Sequence, residues 1–127
     1  MITSISDDIK TGAERLVAKL RIERERNETT PWKPKTGEKL MQAYNQKFGT
    51  AYDNRHARLM VHYAREVLKA PIGYDIKRGK AGYYWCANAV EYGRTKGKLV
   101  NRAMKILQAA AGGEGGFKNE NQQELFE

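Results

Sequence analysis

The sequence predicts a mostly helical α+β fold, and three observations carry that expectation. Two amphipathic helical stretches, over 37–48 and 53–68, are separated by only a few residues. A β-hairpin pattern with a basic tip follows at once, over 72–86. Further helical stretches stand on either side of this unit. The expected organisation is an N-terminal helix and linker over 1–35, the central unit over 36–88, a C-terminal helix over 89–111 and a Gly-rich tail over 112–127.

In chain order, Thr11-Gly12-Ala13-Glu14 fits a capping box. Ala13, Leu16, Val17 and Leu20 then share one face, which predicts a first helix from about Gly12 to Arg26. Arg21, Glu23, Arg24, Glu25 and Arg26 are expected to solvate its end, and the apolar seam is too short for a coiled coil. Asn27–Lys35 contains Pro31 and Pro34 and breaks the helix. Trp32 between them is expected to act as a lid on the core, with stacking on a base as the alternative.

The central unit is the most legible part. Leu40, Met41, Tyr44 and Phe48 form one stripe at helical spacing. Thr36 can cap the start of that helix, and Gly49 can end it with a left-handed residue. Asp53 is a good N-cap for the next helix, whose inner face is Ala57, Met60, Val61, Ala64 and Leu68. Its outer face carries Asn54, Arg55, Arg58, His62 and Arg65. Such side chains suit base edges and phosphates, since Arg forks onto guanine and Asn onto adenine. Pro71 stops this helix, and Ile72, Tyr74 and Ile76 alternate as in a strand. Lys77-Arg78-Gly79-Lys80 forms the basic tip, and Gly82-Tyr83-Tyr84-Trp85-Cys86 returns as the second strand. A basic tip beside a basic helix would meet the phosphate backbone next to a groove.

Asn88–Glu91 offers another cap for a final helix. Leu99, Val100, Ala103, Met104, Leu107 and Ala110 give that helix an apolar face, which could cover the bundle or pair with a second copy. Gly93 and Gly97 each cost about 1 kcal/mol relative to Ala, so a kink or break is expected near them. Gly112-Gly113-Glu114-Gly115-Gly116 is expected to end regular structure.

Charge narrows the function classes. The net charge is +8, with 40% hydrophobic and 30% charged residues. From Gly113 onward four Glu and one Lys sum to −3, which leaves +11 on the residues before it. Such an excess favours a polyanionic partner, most simply DNA or RNA. No run approaches the roughly 18 apolar residues of a membrane span, so no membrane partner is expected. Met1–Lys10 has no apolar signal core. The single cysteine, Cys86, excludes an internal disulfide and fits the cytoplasm; a packed thiol at the strand end is expected. No convergent catalytic set is visible, and neither metal nor cofactor is expected. His56 and His62 stand six apart and do not share a helix face as metal ligands do at i, i+4.

Several short motifs now converge. Thr36-Gly37-Glu38-Lys39-Leu40 opens the first helix of the central unit, an Arg-rich helix follows, and Ile72, Ile76 and Gly82-Tyr83-Tyr84 mark the ribbon. Thr36–Asn88 thereby resembles a bacterial or phage winged helix-turn-helix domain, with Ala57 where the family has Val. The resemblance implies a non-enzymatic DNA-binding protein whose second helix enters the major groove. Asn54, Arg55, Arg58 and His62 would contact bases or phosphates, with Arg65 at the rim, and Lys77, Arg78 and Lys80 would grip the backbone. Dimerisation to read two half-sites is a known habit of such proteins, so a homodimer is a candidate state. At the C-terminus, Gln122-Gln123-Glu124-Leu125-Phe126 resembles the Gln-x-x-Leu-Phe peptide by which bacterial replication and repair proteins dock on the β sliding clamp. Gln122, Leu125 and Phe126 would be the clamp-binding residues. Together these imply a phage or bacterial replication-associated factor in the host cytoplasm. A transcription regulator, or a phage inhibitor acting by protein–protein interaction, is the alternative.

Overall fold

The computed structural model describes residues 6–76 and 81–124, with side chains as far as residue 115. In chain order the elements are α1 (Asp7–Glu25), α2 (Gly37–Phe48), α3 (Asn54–Glu66), β1 (Ile72–Asp75), β2 (Gly82–Trp85) and α4 (Ala89–Glu124). The chain is thus mostly helical with one two-stranded antiparallel sheet. It forms two compact units that part between Thr95 and Lys96, so α4 contributes to both.

The start of α1 differs from the sequence expectation. Its N-cap is Ser6, whose hydroxyl accepts the Ile9 N–H at 3.4 Å, and not Thr11. Asp7 and Asp8 then occupy the first turn, where carboxylates favour the positive end of the helix dipole. The extra turn adds Ile9 to the stripe Ala13, Leu16 and Leu20, all buried. Gly12 lies on this stripe because α3 crosses there: a Cβ at Gly12 would stand 2.9 Å from the Met60 sulfur.

Helix α2 follows its sequence signals. Thr36 Oγ1 accepts the Lys39 N–H at 3.1 Å, and Gly49 closes the helix at φ 67°. Leu40, Met41 and Tyr44 are buried, whereas Phe48 lies at the edge beneath the Arg15 guanidinium, 3.9 Å from its ring centroid. The turn to α3 is locked by Asn45. Its amide Oδ1 accepts from Thr50 Oγ1 at 2.7 Å and from the Tyr52 N–H at 2.9 Å, while its Nδ2 donates to the Tyr52 carbonyl at 2.8 Å.

Asp53 caps α3 through a capping box in which the His56 ring takes the position usual for Glu. Asp53 Oδ1 accepts the Arg55 and His56 N–H groups, and His56 Nδ1 stands 3.1 Å from the Asp53 nitrogen and 2.8 Å from its Oδ1. The hydrogen bond to His56 is the first cause holding the Asp53 carboxyl below the usual carboxylate range. Ala57, Met60, Val61 and Ala64 are buried against α1 and α2 as the periodicity predicts. Ala57 suits its place because a Cβ on Gly37 would lie only 3.1 Å from its own methyl.

Strands β1 and β2 pair in the register Ile72↔Trp85, Gly73↔Tyr84, Tyr74↔Tyr83 and Asp75↔Gly82. A further bridge, missed in the sequence, joins Lys35 to Tyr83 through two backbone hydrogen bonds of 3.0 and 2.7 Å. Lys35, just before the N-cap of α2, thereby widens the sheet on the β2 side. Cys86 is buried at the end of β2, where burial pushes its thiol up to about 11. This is the packed thiol expected there, and almost none of it is thiolate near neutrality.

The charged end of α1 is solvated only in part: Arg21, Glu25 and Arg26 are exposed as expected, but Glu23 and Arg24 are not. Glu23 is 5% exposed and accepts from Thr29 Oγ1 at 2.5 Å, from Lys35 Nζ at 2.9 Å and from Lys19 Nζ at 2.9 Å. Arg24 pairs with Glu91 at 2.8 Å, 67 residues away. The chain turns back after α1 at Asn27, whose φ of 57° is left-handed, and this brings Thr29 and Lys35 over Glu23. Trp32 is likewise not a lid. It is 56% exposed in the turn Thr30–Lys33, with the Arg24 guanidinium 5.4 Å from its ring.

Helix α4 opens as expected, with Asn88 Oδ1 accepting the Glu91 N–H at 3.0 Å. Tyr74 N–H donates to Thr95 Oγ1 at 3.1 Å, which fixes its first turns to β1. Neither Gly93 nor Gly97 breaks it, and it runs past Ala111 through the Gly-rich stretch to Glu124. Glycine lowers helix propensity without forbidding helical dihedrals. A Cβ at Gly112, Gly113 or Gly115 would meet nothing within 4 Å among the described residues. Leu125 and Phe126 lie outside the described residues, as does the side chain of Gln122.

Candidate nucleic-acid interface

Helix α3 is the element around which a site can be built. Its inner face is pinned by α1 and α2, its N-terminus by the Asp53 cap, and the preceding turn by Asn45. A helix held on so many sides presents its remaining face with little freedom, which is what precise contact to a partner requires.

That remaining face brings together most of the residues expected there. Asn54, Arg55, Arg58 and His62 are all exposed. Among the described residues, no carboxylate lies within ion-pair distance of Arg55 or Arg58. Asn54 leans toward the start of α2, where only the absence of a side chain at Gly37 makes room for its amide oxygen. His62 Nε2 lies 3.1 Å from Glu66 Oε2, an exposed pairing that charges only on protonation of the imidazole. Leu59, 39% exposed, adds an apolar edge to the same face that the sequence reading had not included.

Arg65 is a correction. Spacing alone puts it on the outer face, but β1 folds back over it. Its Nε donates to the Ile72 carbonyl at 2.8 Å, and its guanidinium lies 5.5 Å from the centre of the Tyr74 ring. Burial pulls its pKa below the ordinary arginine value, opposed by Tyr92, Tyr83 and Tyr74 nearby. Arg65 therefore ties the hairpin to α3 and is not a rim contact.

The hairpin's root stands beside this face. Burial raises the Tyr83 phenol above its ordinary value, opposed by the charges of Arg65 and Arg58. Gly82, paired with Asp75 at the last described rung, abuts the backbone of Lys35 and Thr36 just before α2. Lys77, Arg78 and Lys80 lie outside the described residues. Trp32 is placed elsewhere: the antiparallel bridge at Lys35 carries the chain toward the Trp85 end of β2 as it runs back to Trp32, away from the hairpin loop.

The other chemistry is sparse. Among the described residues no three His, Cys, Asp or Glu side chains converge as metal ligands, and no helix is long and apolar enough to cross a membrane. A groove between α2 and the start of α3 is lined by Thr36, Glu38, Gln42, Asn45, Asp53 and Asn54, which gives that end an acidic border. Comparison of the chain with family models, with curated proteins and with solved structures gave no match.

Proposed function

We propose that this chain is a non-enzymatic, double-stranded DNA-binding protein of winged helix-turn-helix type, with α3 lying in the major groove. The observation that carries the reading is the exposed pair Arg55 and Arg58, without a carboxylate in ion-pair distance among the described residues, on a helix braced from behind by α1 and α2. The order of two helices, hairpin and a flanking bridge at Lys35 supports it, as does the net charge of +8. Arg55 and Arg58 read base edges or phosphates, Asn54 and His62 assist, and Lys77, Arg78 and Lys80 contact the backbone beside the groove.

The test is an electrophoretic mobility series on duplex DNA with Arg55→Ala and Arg58→Ala. Each substitution is expected to cost about 1–3 kcal/mol where the arginine forks onto a base. Unchanged affinity in both variants removes α3 as the reading element.

The same reading places the protein in DNA replication, tethered to the β sliding clamp by Gln122, Leu125 and Phe126. A Leu-Phe pair with a glutamine three residues before it can fill an apolar pocket while the amide bonds at the rim. Leu125→Ala with Phe126→Ala is expected to abolish capture of the purified clamp while leaving duplex binding intact. Clamp capture by the double variant at the level of the parent would remove the tether from the account.

A further inference from the structure

The second unit carries a surface that the DNA-binding reading does not use. Along α4, Leu99, Val100, Ala103, Met104, Ile106, Leu107, Ala110 and Ala111 fall within an arc of about 160° at 100° per residue. Asn101, Arg102, Lys105 and Gln108 occupy the opposite side. Beyond the partly covered Leu99 the arc is open to solvent: Val100 and Met104 are each 51% exposed, Ile106 60% and Leu107 64%. A strip of this kind, roughly 20 Å long, is more apolar surface than an isolated helix leaves in water without a partner.

The ends of the strip say what that partner is. Lys96 and Glu114 both fall on the midline of the arc, one at each end, and both are exposed. Among the described residues neither has an ion-pair partner. They are equidistant in sequence from Lys105. We infer that the α4 helices of two copies of this chain pair antiparallel about Lys105, so that Lys96 of each meets Glu114 of the other. In this register Val100 faces Ala110 and Ala103 faces Leu107, so a large side chain opposes a small one at both levels. At the centre Met104 of one copy lies beside Met104 of the other on one flank of the seam, and Ile106 beside Ile106 on the opposite flank. A two-fold interface must be complementary to itself, and this strip is so only when reversed. A parallel pair would set Lys96 against Lys96 and Glu114 against Glu114. Arg102 and Lys105 stay on the outer side in either case.

The inference does not depend on DNA binding and is tested without DNA. Sedimentation of the full chain over rising concentration should show a shift from one chain to two, since a short interface of this kind associates weakly. Leu107→Asp should keep the chain monomeric, with helical circular dichroism retained because the residue is exposed. Lys96→Glu and Glu114→Lys should each weaken association several-fold, and the combined charge swap should restore it. A parent chain that stays monomeric throughout overturns the inference. So does a dimer that persists in Leu107→Asp, or a charge swap that restores nothing.

Discussion

Replacing Gly82 by Ala is expected to destabilise the first unit more than any other single-methyl addition, by about 2–6 kcal/mol. Two effects add. Gly82 has φ 140°, a region that residues with a Cβ occupy only at a cost of about 1–3 kcal/mol. The new Cβ would also collide with the carbonyl carbon and oxygen of Lys35 and lie 2.7 Å from the Thr36 nitrogen. Those atoms are backbone, and they are held by the Lys35–Tyr83 bridge, so relief requires the bridge or the hairpin to move, at about 1–3 kcal/mol for an overpacked site. Against a typical domain stability of about 5–15 kcal/mol the loss is large. The urea midpoint measures it, and Gly49→Ala is the control. Gly49 shares the left-handed backbone, at φ 67°, but has no neighbour within 4 Å, so only the strain should appear there. Equal midpoints for the two variants would show that the Lys35 contact carries no weight.

Glu23 is the second such position. Its carboxylate, 7% exposed as a side chain, binds Lys19, Lys35 and Thr29 together and so holds the chain between α1 and α2. Glu23→Ala leaves a buried hydroxyl and two ammonium groups without their acceptor. Breaking a fully buried pair costs about 3–5 kcal/mol, and exposure of the two lysines by roughly a third lowers the expectation to about 2–4 kcal/mol. The effect depends on pH. Burial pushes the Glu23 carboxyl up, but the hydrogen bonds from Thr29, Lys35 and Lys19 together outweigh it and hold the pKa below its ordinary 4.5. A depressed folded-state pKa gives stability that is present above 4.5 and is lost as pH falls through the lower folded value. Thermal melts from neutrality into acid should therefore show a steeper decline below 4.5 in the parent than in Glu23→Gln. Parallel acid limbs would contradict the assigned role.

Both positions illustrate what the sequence discloses and what it hides. Helix α2 was legible to the residue because its signals are local: Thr36 before it, Gly49 after it and a stripe at fixed spacing between. The inner face of α3 and the presence of two strands after it followed for the same reason, whereas their register did not. Glu23 and Arg24 were taken for a solvated helix end, because their partners Lys35 and Glu91 come from distant stretches that periodicity does not connect. Arg65 was misplaced likewise, since its cover is the Ile72 carbonyl of a strand that folds back on α3. Asn45 carries no special pattern, yet it fixes the turn on which the direction of α3 depends. The length of α4 departs from expectation because glycine content weighs on helix stability without setting a stop. Of the proposed DNA contacts, Asn54, Arg55, Arg58 and His62 share one exposed face, as spacing alone required.

The central claim is that this face and the hairpin beside it bind duplex DNA through charge. Its most direct measurement is the affinity of the full chain for a fluorescent duplex as salt rises from about 50 to about 200 mM. If the three cations Lys77, Arg78 and Lys80 each meet a phosphate, log affinity should fall against log salt with a slope of about −3 or steeper. Absence of any complex at the lowest salt, or a complex whose affinity does not change across the series, would contradict it.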